Sequence, residues 1–135
     1  MSKQIALWGL TVVGICAVFC GAVRCGGEQP NQVREFMRSK LAHSEQVLGG
    51  LVTEDYELIA QHAQHLSLLS QQATWQVLQT PEYLDHSTEF RRAANRLTSA
   101  ARKKNLDGAA LAYVDVTMSC INCHKYVRDT QNAEK

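Results

Sequence analysis

Two thiols and an imidazole fall within five residues near the C-terminal end of this 135-residue chain, as Cys120-Ile121-Asn122-Cys123-His124. Thiols three residues apart lie along one side of a helix turn. Four chemistries use such a set. A structural zinc site needs two further nitrogen or sulfur ligands at comparable spacing; there is no second cysteine pair, and His62 and His65 fall on another stretch. A dithiol redox motif sets its cysteines at the start of a helix after a strand, where the helix dipole lowers the thiol pKa. Here they end a helical pattern in a chain without strand-period segments. Two inert core cysteines would make the adjacent histidine a coincidence. Covalent haem c uses every member of the set: the thiols of Cys120 and Cys123 add to the two vinyl groups of one haem, and His124 offers its imidazole to the iron.

Such attachment takes place outside the cytoplasm, and the N-terminus agrees. Lys3 precedes an uncharged apolar run from Ile5 to Val23, followed by small residues suited to signal-peptidase cleavage around Cys20–Ala22 or Cys25–Gly27. Residues 1–27 are expected to be a signal peptide or, since 19 apolar residues cross most of a roughly 30 Å hydrocarbon core, an uncleaved membrane anchor. Three cysteines, Cys16, Cys20 and Cys25, lie in or beside that segment, which leaves Cys120 and Cys123 for residues 28–135 and excludes a disulfide framework. Taking Lys3 and Arg24 from the 14 basic residues leaves 12 against 13 acidic ones. A net charge near −1 argues against nucleic acid as the main partner. One domain exhausts the length.

Four amphipathic stretches must position the motif. The first runs from Pro30 to Leu48 with Val33, Phe36, Met37, Leu41, Ser44 and Leu48 as its inner stripe, and is expected to stop at Gly49-Gly50. Thr53 is the expected N-cap of the second, whose inner face is Leu58, Ile59, His62, Leu66, Leu69, Ala73 and Val77. Thr80-Pro81 marks a break that can also begin a short turn of helix. A third stretch spans Ser87 to Lys104, with Phe90, Ala94, Leu97 and Ala101 inside and Arg91, Arg92, Arg96, Arg102 and Lys103 on the other side. After a tight connection capped by Asp107, the fourth runs from Gly108 through Leu111, Val114, Met118 and Ile121 to Val127. Short links between four helices predict an all-α, up-down-up-down antiparallel bundle.

A C-x-x-C-H in the last helix with a basic residue four positions on, here Arg128, resembles the class II cytochromes c, the cytochrome c prime family and its low-spin members. The likeness extends from Pro30 to Arg128; where the family often has an aromatic residue before the basic one, this chain has Val127, with Tyr126 one earlier. It implies a left-handed four-helix bundle with one haem wedged near one end. In the low-spin members the sixth iron ligand is a methionine of the first helix within a pattern like R-x-x-M plus a basic residue. The matching residues are Arg34-Glu35-Phe36-Met37-Arg38, which nominates Met37 as distal ligand. The alternative is that Met37 only fills the core, as most buried methionines do. Met118 stands too close to His124 to reach the far side of the haem, whereas His43, His62, His65 and His86 leave bis-histidine ligation open.

The resulting expectation is a periplasmic, or inner-membrane-anchored, monohaem cytochrome that carries single electrons between redox partner proteins, either alone or as a homodimer. No acid–base or nucleophilic constellation is evident, so an enzyme is not expected. The alternative is a five-coordinate haem protein that binds small gases such as NO or CO. The basic row of the third helix is a solvated face, a docking surface for an acidic partner, or a neutraliser of the haem propionates. Trp75 and either Tyr83 or Tyr113 are candidates for the pocket wall.

Overall fold

The structure, a computed structural model, describes residues 29 to 133. The expected signal or anchor at 1–27, its three cysteines and the boundary after residue 27 lie outside the described residues. Within them the chain forms four α-helices and no strand: α1 (Gln29–Thr53), α2 (Tyr56–Leu69), α3 (Pro81–Arg102) and α4 (Leu106–Ala133), with a single 3-10 turn at Ala73–Trp75 between α2 and α3. Consecutive helices pack most closely, and α1 meets α4 only sparsely. This all-helical arrangement is compatible with a four-helix bundle. Among the described residues no helix is long and apolar enough to cross a membrane.

The helix ends differ from the sequence expectation for identifiable reasons. α1 does not stop at Gly49-Gly50 but continues to Thr53 and ends at Glu54, which takes a left-handed φ of 55°. Gly50 serves close approach instead of termination: a Cβ there would stand 2.8 Å from Ile59 Cγ1 and 3.1 Å from the Asp55 carbonyl oxygen, so only glycine lets α1 and α2 meet this tightly. The cap of α2 is Asp55, whose carboxylate accepts from the Leu58 N–H at 3.0 Å; the Thr53 hydroxyl donates back to the Gly49 carbonyl. α2 ends at Leu69, so Val77, expected on its inner face, lies beyond it and is exposed.

Thr80-Pro81 begins α3 itself, six residues before the expected start, because Thr80 Oγ1 accepts from the Tyr83 N–H and the proline ring suits the first helical position. α4 starts at Leu106, and its cap is Asn105, which accepts from the Gly108 N–H at 2.9 Å; Asp107 lies in the first turn.

Two buried faces are also rotated from their expected register. On α1 the buried positions are Phe36, Lys40, Val47 and Gly50, while Leu41 and Leu48 are exposed. On α4 they are Ala109, Ala112, Val116 and Cys123, while Leu111, Val114, Met118 and Ile121 face outward, Leu111 at 71% exposure. α3 buries Phe90, Ala94, Leu97 and Ala101 as its pattern predicts.

Candidate functional site

A hydrogen-bonded aromatic wall forms where the chain passes from α2 to α3. The 3-10 turn carries Trp75 into the core, and its indole N–H donates to Ser87 Oγ at 2.6 Å. Ser87 Oγ in turn donates to the Tyr83 carbonyl at 2.9 Å, and the Tyr83 hydroxyl donates to the Trp75 carbonyl. The cap at Thr80 starts α3 at Pro81 and so brings Tyr83, Ser87 and Phe90 onto the face that receives the indole. Trp75 and Phe90 pack with ring centroids 5.2 Å apart, and Phe36 of α1 meets Trp75 edge-on at 6.2 Å.

Trp75, Tyr83 and Phe90 form one side of a cavity of about 820 Å³. α4 lines it with Cys120, Cys123 and His124, and α1 with Met37 and Lys40. The volume lies within the roughly 300–1,000 Å³ of cofactor sites. Its walls join aromatic surface to two thiols, a thioether and an imidazole, a donor set that fits a covalently bound haem. A haem brings four of its iron's ligands in the porphyrin, so the protein must supply only axial ligands and attachment points. Among the described residues no three His, Cys, Asp or Glu side chains stand as the ligands of a protein-only metal centre.

Lys40 is the residue of this site that the sequence did not reveal. It is 8% exposed, and its ammonium lies 3.7 Å from the centre of the Trp75 ring and 4.4 Å from that of Phe90, a cation held on two ring faces. Burial lowers its pKa from 10.5 to about 8, opposed by the charges that Cys120 and Cys123 would carry. Burial also raises both thiols, with Lys40 pulling them down, and it lowers His124 with help from Lys40 and Arg128. Neutral thiols disfavour thiol–disulfide exchange, whose nucleophile is the thiolate. A neutral imidazole is the ligating form of histidine. The sequence signal for Lys40 was its place in the row Val33, Phe36, Lys40, Val47, where a lysine occupies a core position at helical spacing.

The other nominated residues separate. Arg128 is exposed on α4 outside the cavity lining, and only its charge reaches His124. Trp75 and Tyr83 line the cavity; Tyr113 does not, and its hydroxyl instead lies 3.1 Å from Ser44 Oγ, tying α4 to α1. His86 packs on Tyr126 with centroids 5.5 Å apart, while His43, His62 and His65 gather between α1 and α2. In the basic row, Arg96 pairs with Asp115 at 2.8 Å and Arg102 donates to Gln64. In comparison with known proteins, no family model, curated protein or solved structure matches the chain.

Proposed function

We propose that the chain is a monohaem c-type cytochrome that carries single electrons outside the cytoplasm, built as an antiparallel bundle of the cytochrome c prime kind. Cys120 and Cys123 tether the haem, His124 is the proximal ligand and Met37 the distal one. The observation that supports this most is the shared cavity: Met37 of α1 lines the same space as Cys120, Cys123 and His124 of α4, 83 residues or more along the chain. When bound, the haem supplies one-electron chemistry at iron.

The protein's own residues then have distinct tasks. The thioether of Met37 is a soft ligand that favours ferrous iron, and the ring wall of Trp75, Tyr83 and Phe90 keeps water from the haem face. Lys40 places a positive charge against that wall, which favours the reduced state or a nearby propionate. The partners are redox proteins met at an exposed haem edge, and the compartment is the periplasm, with the segment 1–27 cleaved or acting as the tether.

Mass and spectrum test the reading together. Acid and organic solvent should leave one haem mass on the protein, and the Cys120→Ala/Cys123→Ala double variant should lack it. Haem mass retained in the double variant would refute attachment at these thiols. The reduced spectrum should be low-spin, with a weak thioether-to-iron band in the oxidised form. Met37→Ala should turn the ferric spectrum high-spin, lower the potential and admit carbon monoxide. If the parent is already high-spin and takes up carbon monoxide, gas binding at an open distal position becomes the function.

A further inference from the structure

Away from the cavity, three of the five histidines meet between α1 and α2, and none of them lines it. Nδ1 of His43 lies 2.8 Å from Nδ1 of His62, and the His43 and His65 rings stack with centroids 4.9 Å apart. His62 and His65 are three residues apart on α2 and share its face. We infer that His43, His62 and His65 form a site for one borderline divalent transition-metal ion, of the class of Zn²⁺ or Cu²⁺.

The ring positions carry the argument. A nitrogen ligand lies about 2.1 Å from such an ion, which sets the ring centre about 3.2 Å from it, so rings at a tetrahedral angle stand about 5 Å apart. The His43–His62 centroids are 5.0 Å apart with their planes inclined at 44°, which suits a shared ion, whereas the His43 and His65 rings, 4.9 Å apart, are nearly parallel at 12°, so the His65 ring must turn before its nitrogen aims at the same point. His62–His65 is wider at 6.2 Å and must close by about 1 Å, a side-chain rotation that the exposed His65 can make in solvent. As they stand the three nitrogens do not share a focus, because the two Nδ1 atoms hold a hydrogen bond with one as donor. A tautomer shift on the donor ring moves its proton to Nε2 and frees both Nδ1 lone pairs, with no net proton released.

Imidazole suits Zn²⁺ and Cu²⁺ and does not suit Mg²⁺ or Ca²⁺, which take oxygen ligands. Three protein ligands leave a coordination position that water can fill, since His65 opens to solvent. The site is independent of the haem reading and stands or falls by itself.

Titration calorimetry of the purified, chelator-washed protein with Zn²⁺ tests it. One equivalent should bind, and each of His43→Ala, His62→Ala and His65→Ala should weaken it more than about a hundredfold, since losing even an outer-shell partner costs roughly 10- to 100-fold. His86→Ala and the Cys120→Ala/Cys123→Ala double variant should bind as the parent does. His65→Ala alters an exposed position and keeps the test decisive if His43→Ala fails to fold. Parent-like affinity in His65→Ala, or a loss that follows the cysteines instead, would overturn the site. A Cu²⁺ paramagnetic resonance spectrum should show nitrogen couplings in the parent that are reduced in His65→Ala; unchanged couplings would count equally against it.

Discussion

Helices α1 and α3 both border the cavity, and they are built on opposite principles. α3 buries aromatic and small apolar side chains, is capped by Thr80 with Pro81 behind it, and satisfies its buried hydroxyls: Thr98 donates to the Ala94 carbonyl and Ser87 joins Trp75 to Tyr83. α1 buries a lysine and a glycine in the same row as Phe36 and Val47, and leaves Leu41, Leu48 and Val52 in solvent. One helix is arranged for packing. The other accepts groups that packing alone would not choose, as functional surfaces commonly do.

The contrast is broken most directly by cutting into α3. Phe90→Ala should destabilise the protein by about 3–5 kcal/mol in a urea titration, because it empties a fully buried ring site in the aromatic wall. A loss below about 1 kcal/mol would mean that α3 is not the packed element described here.

Lys40→Met should act through pH. The Lys40 pKa is about 8 in the folded state against 10.5 ordinarily, so the charged form is penalised on folding and the penalty is fully present below pH 8. Between about pH 8 and 10.5 the unfolded chain holds a proton that the folded chain has lost, so stability from this group rises with pH, by up to about 3 kcal/mol. The raised thiols act in the opposite sense, and without the Lys40 charge they are raised further, which also penalises the variant as pH rises. Parent minus Lys40→Met, measured by denaturation at pH 7 and pH 10, should therefore become more favourable to the parent at the higher pH. A difference that does not move with pH would show Lys40 to be solvated.

The glycine pair sharpens the picture of α1. Gly50→Ala drives a Cβ into Ile59 and should cost about 1–3 kcal/mol, whereas Gly49, with nothing within 4 Å of an added Cβ, should gain about 0.5–1 kcal/mol as Ala. Equal effects of the two substitutions would remove the close α1–α2 approach. Thr80→Ala should cost about 1 kcal/mol through the lost cap of α3.

How much of this could be read in the amino acids depends on the kind of constraint. Cys120, Cys123 and His124 were legible as a group because they are neighbours in the chain, and the inner face of α3 because its apolar residues alternate there with arginines. The α4 register was not. α3 and α4 pack against each other more extensively than any other helix pair, and α4 buries the small Ala109 and Ala112 beside Val116 while the larger Leu111, Val114 and Met118 stay outside. Hydrophobicity weighted by size points to the wrong face in that case. Lys40 was hidden because lysine is seldom buried, and its partners, Trp75 and Phe90, lie 35 and 50 residues away. The histidine cluster was hidden for the same reason, since His43 meets His62 only when α1 folds back on α2.

The sparse meeting of α1 with α4 gives the molecule the mechanics of a book. α2 and α3 are the spine, α1 and α4 the covers, and the Ser44–Tyr113 contact a clasp between them. Few contacts would have to break for the covers to part, whereas parting the spine would break many. Amide exchange in the first turns of α1 should accordingly run ahead of exchange at Leu97 or Ala101, and filling the cavity should slow the covers far more than the spine.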